Sequence, residues 1–238
     1  MPEFNLEDGL ICYNWMPLVA DIVVDYPRDF YLNWGVESLH DEEIPQKEDM
    51  ENMEENSIVF AKTDFIINGE FQKNVLPFIN KPFNLVTAVS SYHIGRDGDN
   101  PEGYKEILEN ENLQNWFCTN PPNEEHEKIH TLPIGFAEPN RLSSNQRVLK
   151  KLRKERKQFE EKANKFFIPW HDQSTNPERH KIINTLKKKE FVDMMQGKTS
   201  SEPYMNLIGA YRFTICVQGS GNDTHRLYES LLMGCVPI

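Results

Sequence analysis

The sequence predicts an α/β protein with two Rossmann-like units, each containing a mostly parallel sheet. Short apolar runs of strand length recur along the chain and alternate with segments that are compatible with helices. Such nearly continuous runs are typical of strands that are buried on both faces, as in parallel sheets. A densely basic stretch, 141–164, separates the first group of runs from the second. We therefore expect domains at 1–140 and 165–238, joined by a basic linker helix.

Four strands are predicted in the first domain. They are SIVFAKTDFI (57–66), PFNLVTAVSSYHIG (82–95), NWFCTNPP (115–122) and IHTLPIGF (129–136). The charged segment NEEHEK between the last two is long enough for one helical turn. The acidic stretch 41–56 lies before the first of these strands and is typical of a solvated loop or helix surface.

The second domain repeats the alternation of strands and helices. The predicted strands are KFFIPW (165–170), YRFTICVQG (211–219) and CVPI (235–238), and the predicted helices are 176–191, 202–210 and one that begins near Asn222 or Asp223. An Asn-Pro pair opens the first of these helices, because proline is tolerated at the first helical position. Ligands of open α/β sheets bind outside the carboxyl ends of the strands, so we expect both domains to turn those ends toward a common crevice.

Composition and charge exclude several classes of protein. The formal net charge of −11 argues against non-specific nucleic-acid binding, and the basic run 147–165 is more typical of a solvated helix. The four cysteines form no C-x-x-C pair, so neither a zinc site nor a redox motif is predicted. The sequence contains no signal-peptide pattern and no apolar run of about 18 residues. We therefore expect a soluble protein of the cytoplasm or another intracellular compartment, without a membrane anchor.

The stretch GSGNDTHRLYES (219–230) has the pattern of an anion site. Gly219 and Gly221 allow close approach of the backbone to a ligand and tolerate positive φ. The helix that follows would present unpaired N–H groups and the positive end of its dipole. Arg226 can add a bidentate contact to phosphate oxygens. Glu229 shares that face of the helix and is suited to accept hydrogen bonds from sugar hydroxyls.

A purely structural interpretation of the same helix is also open. Asp223 would be its N-cap, Arg226 and Glu229 would form a surface ion pair, and Gly234 would end it. In both interpretations the opposite face is expected to be buried. That face carries Leu227, Leu231 and Leu232.

The chain resembles the exostosin-like glycosyltransferases over residues 211–238, and most closely from 219 onward. In that family a glycine-started loop leads to Ser/Thr-x-Arg-Leu-x-Glu/Asp and then to Gly-Cys-Ile/Val-Pro-Val/Ile. The matching residues, without a gap, are Gly219, Thr224, Arg226, Leu227, Glu229, Gly234, Cys235, Val236, Pro237 and Ile238. The preceding 50 residues match more loosely, and in the first half the resemblance rests mainly on the α/β layout.

The resemblance implies a GT-B architecture, in which two Rossmann-like domains face a cleft and the second holds the donor. It implies transfer of a sugar from a nucleotide-diphosphate donor, most simply a UDP-sugar, to a hydroxyl of a glycan acceptor, with inversion and without an essential Mn²⁺ or Mg²⁺. The implied donor-binding residues are Asn176, Arg179, Gly219, Ser220, Gly221, Thr224, Arg226 and Glu229. Arg179 and Arg226 would clamp the diphosphate. Because related chains continue past the Gly-Cys-Val-Pro-Ile strand, the second domain is expected to be short or truncated.

The transfer also needs a base for the acceptor proton, and the first domain offers three candidates. They are Asp64, His93 and Asp97, at or just after predicted strand ends. The ordinary histidine pKa of about 6.5 suits this role.

A second possibility for the function is a metal-dependent transferase of the GT-A type, with the metal at Asp97-x-Asp99, although DGDNPEG has the composition of a turn. A third is a nucleotide-sugar-binding module without catalysis.

Overall fold

A computed structural model of the chain describes residues 13–25, 44–137, 146–171 and 176–238. They form two compact units, the first over Tyr13–Ile134 and the second over Gly135–Ile238. Each unit has its own parallel sheet, as in Rossmann-like domains, so the predicted α/β class and the parallel strands are confirmed. In these ranges no helix combines the length and the apolar character that crossing a membrane requires.

The first unit is built on a five-stranded sheet whose strands lie side by side in chain order. They are β1 (Ile22–Val24), β2 (Ser57–Lys62), β3 (Phe83–Ala88), β4 (Leu113–Cys118) and β5 (Ile129–Thr131). All neighbouring pairs are parallel. Three of the four predicted runs contain one of these strands, and the run 115–122 overlaps the second half of β4, whereas β1 was not predicted.

Short helices cover this sheet. They are α1 (Lys47–Asn52), α2 (Thr63–Ile67), α3 (Glu70–Asn74) and α4 (Tyr104–Glu109), with 3₁₀ segments at Tyr13–Val19 and Leu76–Phe78. Along β2, Val59 and Ala61 join the core formed with these helices, while Phe60 packs with Met16 on the other face. Burial on both faces explains why β2 and β3 are apolar at most positions. The segment NEEHEK forms turns and bends, so the helical turn predicted there is wrong.

The second unit is built on a four-stranded parallel sheet. Its strands are β6 (Ala163–Ile168), β7 (Val192–Met194), β8 (Tyr211–Thr214) and β9 (Val236–Pro237), in the order β7-β6-β8-β9. The chain places β7 on one side of β6 and then returns to place β8 on the other side. The sheet therefore has a topological switch point between β6 and β8, which is where ligands of open α/β sheets bind.

Four helices accompany the described strands of the second unit: α5 (Gln146–Glu155), α6 (Pro177–Leu186), α7 (Ser201–Gly209) and α8 (His225–Leu232). Residues 141–145 of the predicted linker helix lie outside the described residues. Helix α5 ends at Glu155, well before the predicted end at 164. The chain leaves the helix where the Arg156 guanidinium turns to donate to the Leu232 carbonyl oxygen at 2.7 Å.

Helix α8 differs from its prediction in its start and in its buried face. It begins at His225 with Thr224 at the N-cap position, two to three residues later than expected. Leu231 is 52% exposed, so the predicted burial of this leucine is wrong. The helix ends as expected, because Gly234 has a φ of +69° just after the last turn.

A buried lysine fastens two helix ends to the second sheet. Lys162 directly precedes β6, and its Nζ donates to the carbonyl oxygens of Gly209 and Met233, both at 2.7 Å. These carbonyls lie at the C-terminal ends of α7 and α8, where a cation complements the helix dipole. Burial is the main cause that lowers the pKa of Lys162. The two hydrogen bonds of this lysine hold the C-terminal ends of α7 and α8 next to β6.

We expect Lys162→Met to lower the free energy of unfolding by about 3 kcal/mol, because methionine keeps the apolar stem but donates to neither carbonyl. Urea denaturation followed by circular dichroism measures the loss. Lys165→Met is the matched control, since the Lys165 ammonium forms a half-exposed ion pair with Asp193 at 2.9 Å, and such pairs contribute less than about 1 kcal/mol. Equal denaturation midpoints for the two variants would contradict the role of Lys162.

Candidate functional site

The predicted donor-binding residues lie around the switch point of the second sheet. Residues 169–171 follow β6, residues 215–221 follow β8, and helices α6 and α8 begin near these two segments. Hydrogen bonds connect α6 to the segment after β8, and α8 to the segment after β6. The fold therefore brings together residues that are up to 56 positions apart in the sequence.

Asn176 and Arg179 hold the backbone of the loop after β8. Asn176 is the N-cap of α6, and its amide nitrogen donates to the Gly219 carbonyl oxygen at 3.1 Å. The buried Arg179 donates from Nε to Gln218 O at 2.8 Å and from Nη2 to Val217 O at 3.2 Å. Three consecutive carbonyl groups of the loop are thus fixed by two side chains of α6.

Glycine at position 219 leaves room for the Arg179 guanidinium. A Cβ there would lie 2.9 Å from Arg179 Nη2, so the guanidinium would have to shift. Neither Gly219 nor Gly221 has a positive φ, so the left-handed backbone that these glycines would tolerate is not used. Ser220 between them is exposed. Close approach of the Arg179 guanidinium therefore explains the first glycine of the motif.

Arg226 reaches from the first turn of α8 back to the end of β6. Its Nη2 donates to the Trp170 carbonyl oxygen at 2.7 Å. Its Nε is buried and has no hydrogen-bond partner among the described residues. A buried N–H group without a partner costs about 1–3 kcal/mol, so such a group normally binds water or a ligand. This nitrogen is suited to an anionic oxygen.

Glu229 lies on the same helix but inside the protein. It is 5% exposed, and its Oε2 accepts a hydrogen bond from the Tyr204 hydroxyl of α7 at 2.7 Å. Burial raises the pKa of Glu229, while the charge of Arg226 and the Tyr204 hydrogen bond oppose this rise. The surface ion pair of the structural interpretation is therefore wrong, because the carboxyl group of Glu229 is not at the surface.

Asp223 is also not the N-cap of α8. Its Oδ1 accepts from the backbone N–H of the next residue, Thr224, at 2.6 Å, and its Oδ2 accepts from the Tyr228 hydroxyl. Thr224 occupies the N-cap position without a side-chain capping bond. Asp223 therefore holds the first turn of α8 through these two hydrogen bonds and not as its N-cap.

His171 belongs to the site although its sequence pattern did not identify it. It is 5% exposed, its Nδ1 lies 2.6 Å from the Pro169 carbonyl oxygen, and its Nε2 is buried without a partner among the described residues. Burial, followed by the charges of Arg226 and Arg179, lowers the pKa of His171 to about 3. The imidazole is therefore neutral. Its only sequence signal is its position directly after the predicted strand 165–170.

The three candidate bases lie in the first unit, close to the carboxyl ends of β2 and β3. Asp64 is in the first turn of α2, and its Oδ2 is buried without a partner among the described residues. His93 is also buried, its Nε2 has no partner in the described part of the chain, and its pKa is lowered mainly by burial. Asp97 accepts from the His93 backbone N–H at 2.8 Å and pairs with Arg96 at 3.0 Å. That hydrogen bond with Arg96 lowers the pKa of Asp97 and weakens it as a base.

The Asp97-x-Asp99 pair lies in a turn. Gly98 between the two has a φ of +82°, and the Asp97 carboxylate closes the loop onto its own backbone. Within the ranges given above, no group of three or more histidine, cysteine, aspartate or glutamate side chains is placed to hold a metal ion. Because the Asp97 carboxylate already accepts hydrogen bonds from His93 and Arg96, a turn is favoured over a metal site.

Comparisons with known proteins add no family to this description. No model of a protein family matches the chain, and no curated protein matches it either. The exostosin-like resemblance therefore rests on the residues of 211–238. The geometry around Arg226 and His171 provides separate information on function.

We expect Glu229→Gln to gain stability relative to the unmodified chain as the pH rises from 5 to 8. Because the pKa of Glu229 is raised in the folded state, that state holds the proton more tightly than the unfolded chain. The contribution of Glu229 is therefore greatest below its ordinary pKa and is lost as the pH rises through the raised value. Urea denaturation of both proteins at several pH values measures the difference. An opposite trend would mean that Arg226 and Tyr204 lower this pKa.

Proposed function

We propose that the protein is a glycosyltransferase whose second unit binds the diphosphate of a nucleotide-sugar donor, most simply a UDP-sugar. The acceptor would be a hydroxyl group of a glycan, and transfer would proceed with inversion and without an essential metal. The observation that supports this is the Arg226 guanidinium, which lies at the switch point with a buried Nε that has no hydrogen-bond partner among the described residues. The GT-B arrangement, with an acceptor-side first domain, is part of the proposal.

The charges at the switch point support an anionic ligand. Arg179 and Arg226 are both cationic, His171 is neutral, and burial raises the pKa of Glu229. These four side chains therefore carry an excess of positive charge in a place where solvent screens it poorly. A diphosphate supplies the complementary charge, and the N-terminal end of α8 adds the positive end of its dipole.

The two arginines have different parts in this proposal. Arg226 contacts the diphosphate, because its buried Nε donates to no acceptor among the described residues. Arg179 fixes the loop 217–219 through its hydrogen bonds to Val217 and Gln218, and it adds positive charge next to that loop. Glu229 is fixed through one oxygen by Tyr204, so a sugar hydroxyl would bind its other oxygen.

The reaction breaks the bond between the anomeric carbon and the diphosphate oxygen while the acceptor oxygen attacks the same carbon. Negative charge develops on the departing diphosphate, where fixed cations such as Arg226 stabilise it. A base takes the acceptor proton. Among the candidates, His93 and Asp64 fit this role better than Asp97, whose carboxylate is already paired with Arg96.

We expect Arg226→Ala to reduce turnover of the donor roughly 10²–10³-fold, because it removes a preorganised charge from the leaving group. Hydrolysis and transfer are measured with UDP-sugars in the presence of EDTA, and binding of UDP by calorimetry. Arg212→Ala is the matched control, since the Arg212 guanidinium binds the Phe159 and Glu160 carbonyl oxygens of the same unit.

Intact binding and turnover in Arg226→Ala would overturn the proposal. Binding of UDP without any donor turnover would favour a non-catalytic module. Turnover that needs Mn²⁺ would favour the GT-A-like alternative at Asp97 and Asp99.

Two substitutions distinguish the candidate bases. If His93 is the base, we expect His93→Ala to lower kcat/KM by roughly 10²–10⁴-fold, while Asp64→Asn has little effect. Because the pKa of His93 is lowered, the acid limb of the pH profile would lie below the ordinary histidine pKa of about 6.5 and disappear in His93→Ala. The reverse pattern would assign the role to Asp64. Unchanged profiles in both variants would exclude both residues.

A further inference from the structure

The geometry points to His171 as the hydrogen-bond acceptor for a hydroxyl group of the ligand that binds Arg226. This inference rests on the proposed function, because it requires a ligand with anionic oxygens at that arginine. His171 lies outside the exostosin-like pattern of 219–238 and is supplied by the segment after β6. It would make the site selective for a ligand that carries both phosphate and hydroxyl groups.

The hydrogen bond to Pro169 determines which imidazole nitrogen carries the proton. Nδ1 lies 2.6 Å from the Pro169 carbonyl oxygen. A carbonyl oxygen can only accept, so Nδ1 is the protonated nitrogen. In a neutral imidazole the other nitrogen is then an acceptor. Burial and the neighbouring Arg226 and Arg179 charges disfavour a second proton, so Nε2 offers a lone pair.

Backbone contacts connect this imidazole to Arg226. Arg226 Nη2 donates to the Trp170 carbonyl oxygen, which belongs to the peptide bond joining Trp170 to His171. The two side chains are close enough for the arginine charge to act on the imidazole. Arg226 Nε is a donor and His171 Nε2 is an acceptor, and both are buried without a partner among the described residues. A ligand that satisfies both atoms must therefore offer an acceptor to Arg226 and a donor to His171.

A nucleotide sugar meets both requirements. Its diphosphate oxygens accept from Arg226, and the hydroxyl groups of its ribose and of the transferred sugar can donate to His171. Inorganic pyrophosphate has the same anionic oxygens but no hydroxyl of this kind. Comparing the two classes of ligand isolates the contact to the imidazole, because only one class can make it.

Two amide variants test the contact. The substitution His171→Asn provides an amide N–H that can replace Nδ1 as donor to Pro169, but it leaves no acceptor at the Nε2 position. The substitution His171→Gln places an amide oxygen near that position instead. Calorimetry gives the affinity of each variant for UDP, UDP-glucose and pyrophosphate, and His180→Asn on the exposed surface of α6 is the control.

We expect His171→Asn to weaken binding of UDP or UDP-glucose about tenfold and to leave pyrophosphate binding unchanged, as loss of one buried hydrogen bond predicts. His171→Gln should keep most of the affinity. A loss for UDP assigns the hydroxyl to the ribose, and a loss for UDP-glucose alone assigns it to the transferred sugar. The nitrogen NMR resonance of Nε2 should shift with these ligands and not with pyrophosphate.

Two results would overturn the inference while the proposed function stands. One is unchanged affinity of His171→Asn for UDP and UDP-glucose, which would mean that Nε2 binds a structural water. The other is an equal loss for all three ligands in both variants, which would mean that His171 only supports the shape of the site. If the unmodified protein binds neither UDP nor pyrophosphate, the proposed function itself fails and the inference fails with it.

Discussion

The strand order of the second sheet is the constraint on which the candidate site depends. Because β7 and β8 lie on opposite sides of β6, the chain segments that follow β6 and β8 leave the sheet side by side. Helices α6 and α8 begin next to these segments and bring Arg179 and Arg226 to the same edge. The first sheet runs in strict chain order, so its described strands provide no equivalent point. The strand order therefore determines at which of the two sheets the cationic side chains come together.

Four cationic side chains of the second unit divide into structural and functional groups according to which helix end they serve. Lys162 and Arg156 bind carbonyl oxygens at the C-terminal ends of α7 and α8, and their hydrogen bonds are used within the protein. Arg179 also donates to backbone carbonyls, although it lies at the ligand edge. Only Arg226 combines that edge with an unpartnered buried N–H among the described residues. Residue type alone does not separate these roles, because a carbonyl oxygen and a phosphate oxygen attract the same side chains.

The sequence was most informative where one physical cause dominates. Burial on both faces makes β2 and β3 mostly apolar, and the Asn-Pro pair marks the start of α6 through its N-cap. The three-residue strands β1 and β7 were not predicted. The face of α8 could not be read from hydrophobicity, because Tyr204 of another helix satisfies Glu229 and draws it inside, while Leu231 stays exposed. His171 was missed for a related reason, since a lone histidine has no spacing that identifies its partners.

Arg226 Nε and His171 Nε2 would act at different stages of the proposed reaction. Negative charge on the diphosphate increases as the bond to the sugar breaks, so the attraction of Arg226 grows toward the transition state and raises kcat. A hydroxyl group that donates to His171 changes little in charge during transfer, so that contact stabilises the bound donor and the transition state alike. It would therefore lower KM without raising kcat. Selection of the donor and stabilisation of the leaving group would thus rest on neighbouring side chains with opposite hydrogen-bonding character.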